Sequence, residues 1–315
     1  MKPYDVYAEV RPVKGKHLTL RLAVPEDAEA LLTCYGDPKA AQLFNNDNCS
    51  GGFFMQRVED VRNALTWWLK AYQERAFVRY AIVSEGTPVG TIELFNGGDK
   101  FGVPQAGVLR LDLASDYETE AVVREVLGLV IDKLAPVFGL EAILTKAAPV
   151  GEVRRGVLQK LGFTETQPGE VVRYPHWWLL NKETLTLQQQ ADQLGCCALF
   201  CPLCLEAPER GCGGCQSDES VCDQEHCHHY QCCQRKGYAG CWECDEPLCE
   251  TGVLAPDHAA RNRAFVLFAR QYGPRELVRL ILKNQQKGVR YGFQLDYDQL
   301  KTVDEVIALL RKADE

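Results

Sequence analysis

Apolar positions along the first 180 residues recur with two alternating periods, one of two residues and one of about three and a half. HLTLRLA (17–23) alternates as a half-buried strand does. PEDAEALLTCYG follows with Pro25 at a helix start, acids in the first turn and Gly36 near the end. VEDVRNALTWWLKAYQER (58–75) sets Val58, Val61, Leu65, Trp68, Leu69 and Tyr72 on one side of a helix, with Trp67 and Trp68 both expected in the core. FVRYAIVSEGTPVGTIELFN (77–96) reads as a hairpin of two apolar runs around a Gly-Thr-Pro turn, and AGVLRLDLA (106–114) as a further strand. A helix from about Tyr117 to Phe138 carries Val122, Val123, Val126, Leu129, Val130 and Leu134, and Pro136 and Gly139 mark its end. Strand AILTKA, helix VRRGVLQKLG and the apolar run VVRYPHWWLLN complete the series. Strands mixed with helices predict an α/β or α+β layered domain over residues 1–184.

The pattern then changes. NKETLTLQQQADQLG (181–195) is polar and reads as a connection, with residues 185–195 as a linker. From residue 196 to the end a second, cysteine-rich domain is expected. Of 15 cysteines, 13 fall between Cys196 and Cys249, while Cys34 and Cys49 read as ordinary buried thiols. The first residues contain no apolar targeting core, and no run of about 18 apolar residues occurs. Membrane insertion is therefore not expected, and the chain reads as cytoplasmic. In that compartment thiols stay reduced, so clustered cysteines read as metal ligands rather than disulfides.

Cys201-x2-Cys204, Cys212-x2-Cys215 and Cys241-x2-Cys244 are three two-residue spacings, with Cys222, Cys227, Cys232 and Cys249 between and after them. A two-residue spacer lets both thiolates of one turn reach the same ion, and two such pairs complete a tetrahedral Zn²⁺ site. Iron–sulfur clusters use the same ligands and remain an alternative. His226, His228 and His229 read as a surface group, one of which could join a site. Acids outnumber bases in this stretch, and with a net charge of −8 nucleic acid is a disfavoured partner. The segment 258–292 reverses sign, with eight Lys or Arg and one Glu on two helical stretches broken at Gly273-Pro274. Those bases are expected to face the acidic cysteine-rich stretch. A terminal amphipathic helix carries Val303, Val306, Ile307, Leu309 and Leu310.

One turn poses a question of chemistry. LASDYETEA (113–121) leaves a strand and enters a helix with Asp116, Glu118 and Glu120 and without glycine. Strand-to-helix turns hold phosphates with free amides and the helix dipole, and three carboxylates would repel an anion there. Acids in a first helical turn also stabilise the dipole, by about 0.3 to 1 kcal/mol each.

RLAVPEDAEALLTCYGDPKA, YAIVSEGTPVGTIELFN and TEAVVREVLGLVIDKLAPVFGLEAILTKAAPVGEVRRGVLQKLGF together resemble the GNAT superfamily of N-acetyltransferases, in particular its ribosomal-protein N-terminal acetyltransferase branch. The resemblance spans nearly all of residues 17–181. It implies a mixed sheet splayed between its fourth and fifth strands, with acetyl-CoA in the gap. The amides of Leu111, Asp112 and Leu113 would hold the acetyl carbonyl and pantetheine, and the turn bearing Ser115, Tyr117 and Thr119 would meet the pyrophosphate. The chain departs from the family in that turn, where Thr119-Glu120-Ala121 follows Tyr117-Glu118 directly and the glycine-rich cradle is missing. Gly151 and Arg154 replace the usual Asn and Ser, and Leu158 stands where many relatives carry a catalytic tyrosine. Glu93 and Asp112, on neighbouring strands, are the candidate general bases for deprotonating an amine; each could equally be a strand residue facing solvent or pairing with Arg110 or Lys146.

CCALFCPLC, GCGGC, CQRKGYAGCWECDEPLCE and LKNQQKGVRYG resemble a bacterial and archaeal cysteine-rich domain of unknown function, from about Cys196 onward. The expectation is thus an acetyl-CoA-dependent N-acyltransferase acting on a small-molecule or protein amine, fused to a zinc-binding module. The alternative is a catalytically inactive GNAT-fold binding protein whose cysteine-rich module binds metal and a protein partner.

Overall fold

The alternating segments pair into one sheet. In the computed structural model, which describes every residue except 1–3, 48, 50, 99, 205–210, 216, 218 and 219, the chain divides into two units, Met1–Leu185 and Thr186–Glu315. The first holds strands β1 (Val13–Lys14), β2 (Leu18–Leu22), β3 (Val78–Ser84), β4 (Thr87–Asn96), β5 (Ala106–Leu113), β6 (Ala142–Lys146), β7 (Thr164–Glu165) and β8 (Trp177–Leu180). They lie in the order β1-β2-β3-β4-β5-β6-β8-β7. Neighbours are antiparallel except β5 and β6, whose parallel pairing needs the helical crossover that the sequence supplies. The helices are α1 (Ala28–Tyr35), α2 (Pro38–Ala41), α3 (Val58–Gln73), α4 (Glu120–Leu129), α5 (Ala135–Val137), α6 (Glu152–Lys160) and α7 (Lys182–Ala191).

The hairpin turns at Glu85 and Gly86, with φ of 49° and 83°, and not at Gly-Thr-Pro. Positive φ at both central residues matches the twist of the flanking strands, so Thr87 and Pro88 join β4. Pro88 has no amide to donate and sits beside the register shift at Ile82/Val83. At Gly90 a Cβ would come 2.2 Å from the carbonyl oxygen of Asp112, so only glycine lets β4 and β5 approach this closely there.

Residues of alternate parity go to opposite faces. Ile92, Leu94, Leu109, Leu111 and Leu113 join a core with Val123 and Val126 of α4 and Val157 and Leu158 of α6. The other face is covered by α1 and α3 through Leu31, Tyr35, Val61, Leu65 and Trp68. Trp67 departs from expectation. It lies one residue, about 100°, off the buried stripe, and is 60% exposed against the edge of Phe77. The long helix begins at Glu120 rather than Tyr117, and a π turn at Val130–Leu134 precedes Pro136, which lacks the amide an α register needs. What reads as a linker is largely helix α7.

After α7, the helices of the second unit among the described residues are α8 (His228–Lys236), α9 (Ala260–Tyr272), α10 (Pro274–Gln286) and α11 (Val303–Arg311). Gly237, at φ 78°, ends α8, and Gly273, at φ 90°, turns the chain from α9 into α10. A capping box between Thr302 and Glu305 opens α11. Phe265, Leu277, Ile281, Tyr297, Val306 and Leu310 form its apolar centre. Among the described residues the basic helices pair largely within the tail. Arg261 pairs with Asp298, Arg279 and Lys283 with Asp314, and Arg290 with Asp296, all within the tail. Arg270 does reach the cysteine-rich stretch, but through the carbonyl oxygens of Cys241 and Glu246 rather than its acids.

Candidate active site

Strands β5 and β6 pair from Ala106↔Ala142 to Leu109↔Thr145 and no further. The remainder of β5, Arg110 to Leu113, has no partner residue on β6. Leu111 and Leu113 send their side chains into the main core, and Asp112 points to the opposite face. Leu111 and Asp112 are therefore fixed by sheet register rather than by a loop.

On that opposite face lies a layer of charge beneath α1 and α3. Register places Arg79 opposite Glu93, Glu93 opposite Arg110, and Thr91 opposite Asp112. Glu93 and Asp112 are both buried. Glu93 lies 3.4 Å from Arg110 Nε and 3.8 Å from Arg79 Nη1, and Asp112 lies 3.4 Å from Arg79 Nη2. Neither carboxylate faces bulk solvent, and Lys146 pairs with Asp47 at 2.7 Å instead. Sequence reading missed Tyr35, Thr91, Arg79 and Asp47. The Tyr35 hydroxyl donates to Asp112 at 3.1 Å and shares a 2.7 Å hydrogen bond with Thr91. Burial, then the charge of Asp112, pushes both the Tyr35 hydroxyl and the Cys34 thiol well up in pKa. Arg79 is 1% exposed and stacks 4.1 Å from the Trp68 ring, while among the described residues none of its guanidinium nitrogens makes a hydrogen bond. Asp47 accepts from Lys146 and from Trp177 Nε1, and Arg110 donates to the Asp47 carbonyl and to Cys49 Sγ, each at 2.9 Å. Cys49 is thus a half-buried thiol beside a cation, not the plain buried thiol expected.

The turn after β5 is tied down by its own side chains. Ser115 opens a short 3-10 turn that ends at Tyr117, and its amide donates to Asp37 Oδ2 at 3.1 Å. Tyr117 packs into the apolar cores. Thr119 caps α4, its hydroxyl accepting from the Val122 amide. Glu118 forms a two-pronged pair with Arg154 of α6, at 2.9 and 2.8 Å, and Glu120 pairs with Lys160 of the same helix. Glu118 and Glu120 therefore bind the protein's own cations. Arg154 Nη1 also donates to the Leu111 carbonyl at 2.8 Å and to that of Leu43 at 3.3 Å. Leu158 is fully buried in the main core.

In the second unit Cys201–Cys204 and Cys241–Cys244 adopt the same local form, a single 3-10 turn in which the last amide donates to the first carbonyl. The Cys196 thiol lies beside those of Cys215 and Cys233, and its hydrogen bond holds the Cys215 thiol below the ordinary value. Cys233 Sγ is 4.0 Å from Cys241 Sγ, which is 3.8 Å from His229 Nδ1. His229 is buried, not the surface group expected, and its Nε2 lies 3.1 Å from the Thr251 carbonyl. His229, Cys232, Cys233, Cys241, Cys244 and Cys249 border a small cavity of about 20 Å³. Cys204 and Cys222 are exposed, Cys212 and Cys227 half-buried. Among the described residues no three His, Cys, Asp or Glu side chains are gathered into a ready metal site, and no helix is long and apolar enough to cross a membrane.

Strands β5 and β6 are the sheet's parallel pair, joined over four residues. Residues 17–164 match the family of acetyltransferase (GNAT) domains. The first unit has a GNAT-like mixed sheet flanked by helices. No curated protein matches the chain. Solved structures similar to the GNAT unit include Mycobacterium smegmatis RimJ in complex with CoA-disulfide, at 15% identity over 55% of this chain and 87% of that one, TM-score 0.44. The ribosomal-protein-S5-alanine acetyltransferase from Vibrio fischeri is 18% identical over 55% of this chain and 97% of that one, TM-score 0.42. A GNAT-family acetyltransferase from Bacillus anthracis is 16% identical over 55% and 99%, TM-score 0.43.

Proposed function

We propose that the GNAT unit is an N-acyltransferase that moves an acetyl group from acetyl-CoA to the amine of a small molecule or protein. The observation that carries this reading is the parting of β5 and β6 after Leu109, directly beside the buried carboxylates Glu93 and Asp112. The β5 amides from Leu111 to Leu113 would polarise the thioester carbonyl. Glu93 or Asp112, directly or through one water, would take the proton of the attacking ammonium or amine. The amide bond forms as the C–S bond breaks, and the thiolate leaves to be protonated by solvent, because Leu158 offers no hydroxyl. Tyr35 acts by holding the Asp112 carboxylate in one orientation.

The test is mass spectrometry of acetyl transfer from acetyl-CoA to a pool of amines and amino-terminal peptides. E93Q and D112N are expected to lower kcat by 10²-fold or more between them, the usual range for a general base. Undiminished turnover in the double variant would remove the assignment.

The reading extends to the cysteine-rich unit as a metal-stapled module. Its support is pairwise. In a tetrahedral site with Zn–S of about 2.3 Å, sulfurs stand roughly 3.8 Å apart, close to the Cys233–Cys241 and Cys241–His229 separations. His229 can donate Nε2–H to the Thr251 carbonyl, which leaves Nδ1 to face Cys241, as a ligating histidine does. Zinc there would supply folding energy to a region poor in large apolar side chains. Elemental analysis of protein purified without air is expected to find zinc, and iron instead would mean a cluster. Absence of both would retire the module's metal role.

A further inference from the structure

Arg154 and Glu118 occupy the place where the proposed donor would enter. The Arg154 side chain is 4% exposed and that of Glu118 is 9% exposed, so the pair is shielded from water although it lies on a turn. All three guanidinium nitrogens are used: Nε and Nη2 on the two carboxylate oxygens, Nη1 on the carbonyls of Leu111 and Leu43. The residue thereby joins α6, the open edge of β5, the segment after α2 and the turn after β5. The neighbouring amide of Val122 is already taken by Thr119, and the amide of Ser115 by Asp37. Around this turn the chain has supplied its own oxygen atoms to the groups an incoming anion would seek.

A guanidinium fork accepts two oxygens of a carboxylate or of a phosphate with the same geometry. The carboxylate of Glu118 is thus chemically interchangeable with one phosphoryl group. We infer that Arg154 is an anion receptor for the pyrophosphate of a phosphorylated acyl donor, replacing the missing glycine loop, and that Glu118 is its built-in occupant, displaced when the donor binds. This rests on the acyltransferase reading for the identity of the donor but not for the existence of the anion site. It also accounts for both departures of the sequence together, since the acid in the turn and the arginine on α6 make one device. An anion entering here meets a preformed fork but must expel a carboxylate, which makes donor binding weak until Glu118 is released.

The experiment is calorimetric titration of the full-length protein with sodium pyrophosphate and, separately, with acetyl-CoA. E118Q keeps the shape and removes the charge, so pyrophosphate should bind about tenfold tighter or better than to wild type, a difference of about 1.4 kcal/mol. E118Q/R154Q, neutral at both positions, should lose that gain. Tightening of both ligands in E118Q supports the receptor and the donor reading alike. Tightening of pyrophosphate alone supports the receptor and removes acetyl-CoA as donor. Acetyl-CoA binding that neither E118Q nor E118Q/R154Q changes leaves the acyltransferase standing and overturns the receptor. No tightening of either ligand overturns the receptor as well. If melting shows E118Q unfolded, E118D serves in its place: it keeps the charge but shortens the reach by one methylene, so its pyrophosphate affinity should exceed that of wild type, and equal affinity would overturn the proposal.

Discussion

Two arginines lie almost fully buried on the GNAT unit, and they are satisfied in opposite ways. Arg154 has every guanidinium nitrogen hydrogen-bonded, two of them to a single carboxylate. Arg79 sits between two carboxylates at 3.4 and 3.8 Å, stacked on Trp68, and among the described residues its guanidinium makes no hydrogen bond. A buried polar group without a partner is uncommon and calls for an explanation. The contrast separates two sides of the site. Around Arg154 the chain completes its own contacts. Beside Glu93 and Asp112 the Arg79 guanidinium has charge partners but no hydrogen bond among the described residues.

Substitutions that unbalance each arginine sharpen this contrast. R154M should be the most damaging, because it leaves Glu118 buried without a counter-charge; breaking such a pair costs about 3 to 5 kcal/mol, readable as a lower midpoint in urea. R79M should cost less, about 1 to 3 kcal/mol, since Glu93 keeps Arg110 and Asp112 keeps Tyr35. An equal loss for the two would erase the distinction drawn here. Y35F removes one hydroxyl between Asp112 and Thr91 and should cost about 1 to 1.5 kcal/mol. Its effect should shrink in an R79M background, because both act through Asp112.

Acid unfolding probes the turn itself. Burial raises the Asp37 carboxyl, but hydrogen bonds from the Ser115 hydroxyl and from the amides of Lys39, Ser115 and Ala40 outweigh it and hold the pKa below the ordinary value. A depressed folded pKa contributes stability that is present above the unfolded value, about 3.9, and is lost as pH falls below it. D37N should therefore flatten the decline in stability below about pH 4, and an unchanged slope would remove Asp37 as its cause. The smallest effect is expected for K160M. Its pair with Glu120 is half exposed on both sides, and such pairs contribute about 0 to 1 kcal/mol.

Much of the fold was legible because it rests on local periods. The alternation in HLTLRLA and AGVLRLDLA and the stripe of α3 give β2, β5 and the helix close to their observed bounds. The candidate carboxylates Glu93 and Asp112 were also legible, as acids within apolar strands. Their partners were not. Arg79 interrupts FVRYAIV at a position whose meaning depends on the register that sets it opposite Glu93. Arg154 and Glu118 are 36 residues apart, and no period connects them; the only signal was that both depart from the resembled family at once. Trp67 shows the limit of composition, since a helix stripe decides burial and residue type does not. In the cysteine-rich stretch the two-residue spacings pointed to turns, two of which are 3-10 turns, but not to the approach of Cys196, Cys215 and Cys233, which come from separate segments.

The most direct test of the donor site is hydrogen–deuterium exchange of the full-length protein with and without saturating acetyl-CoA. The account predicts slowed exchange in residues 110–119 and 151–158, with α9 to α11 unchanged. Unchanged exchange in those two segments, with slowing elsewhere or nowhere, would contradict it.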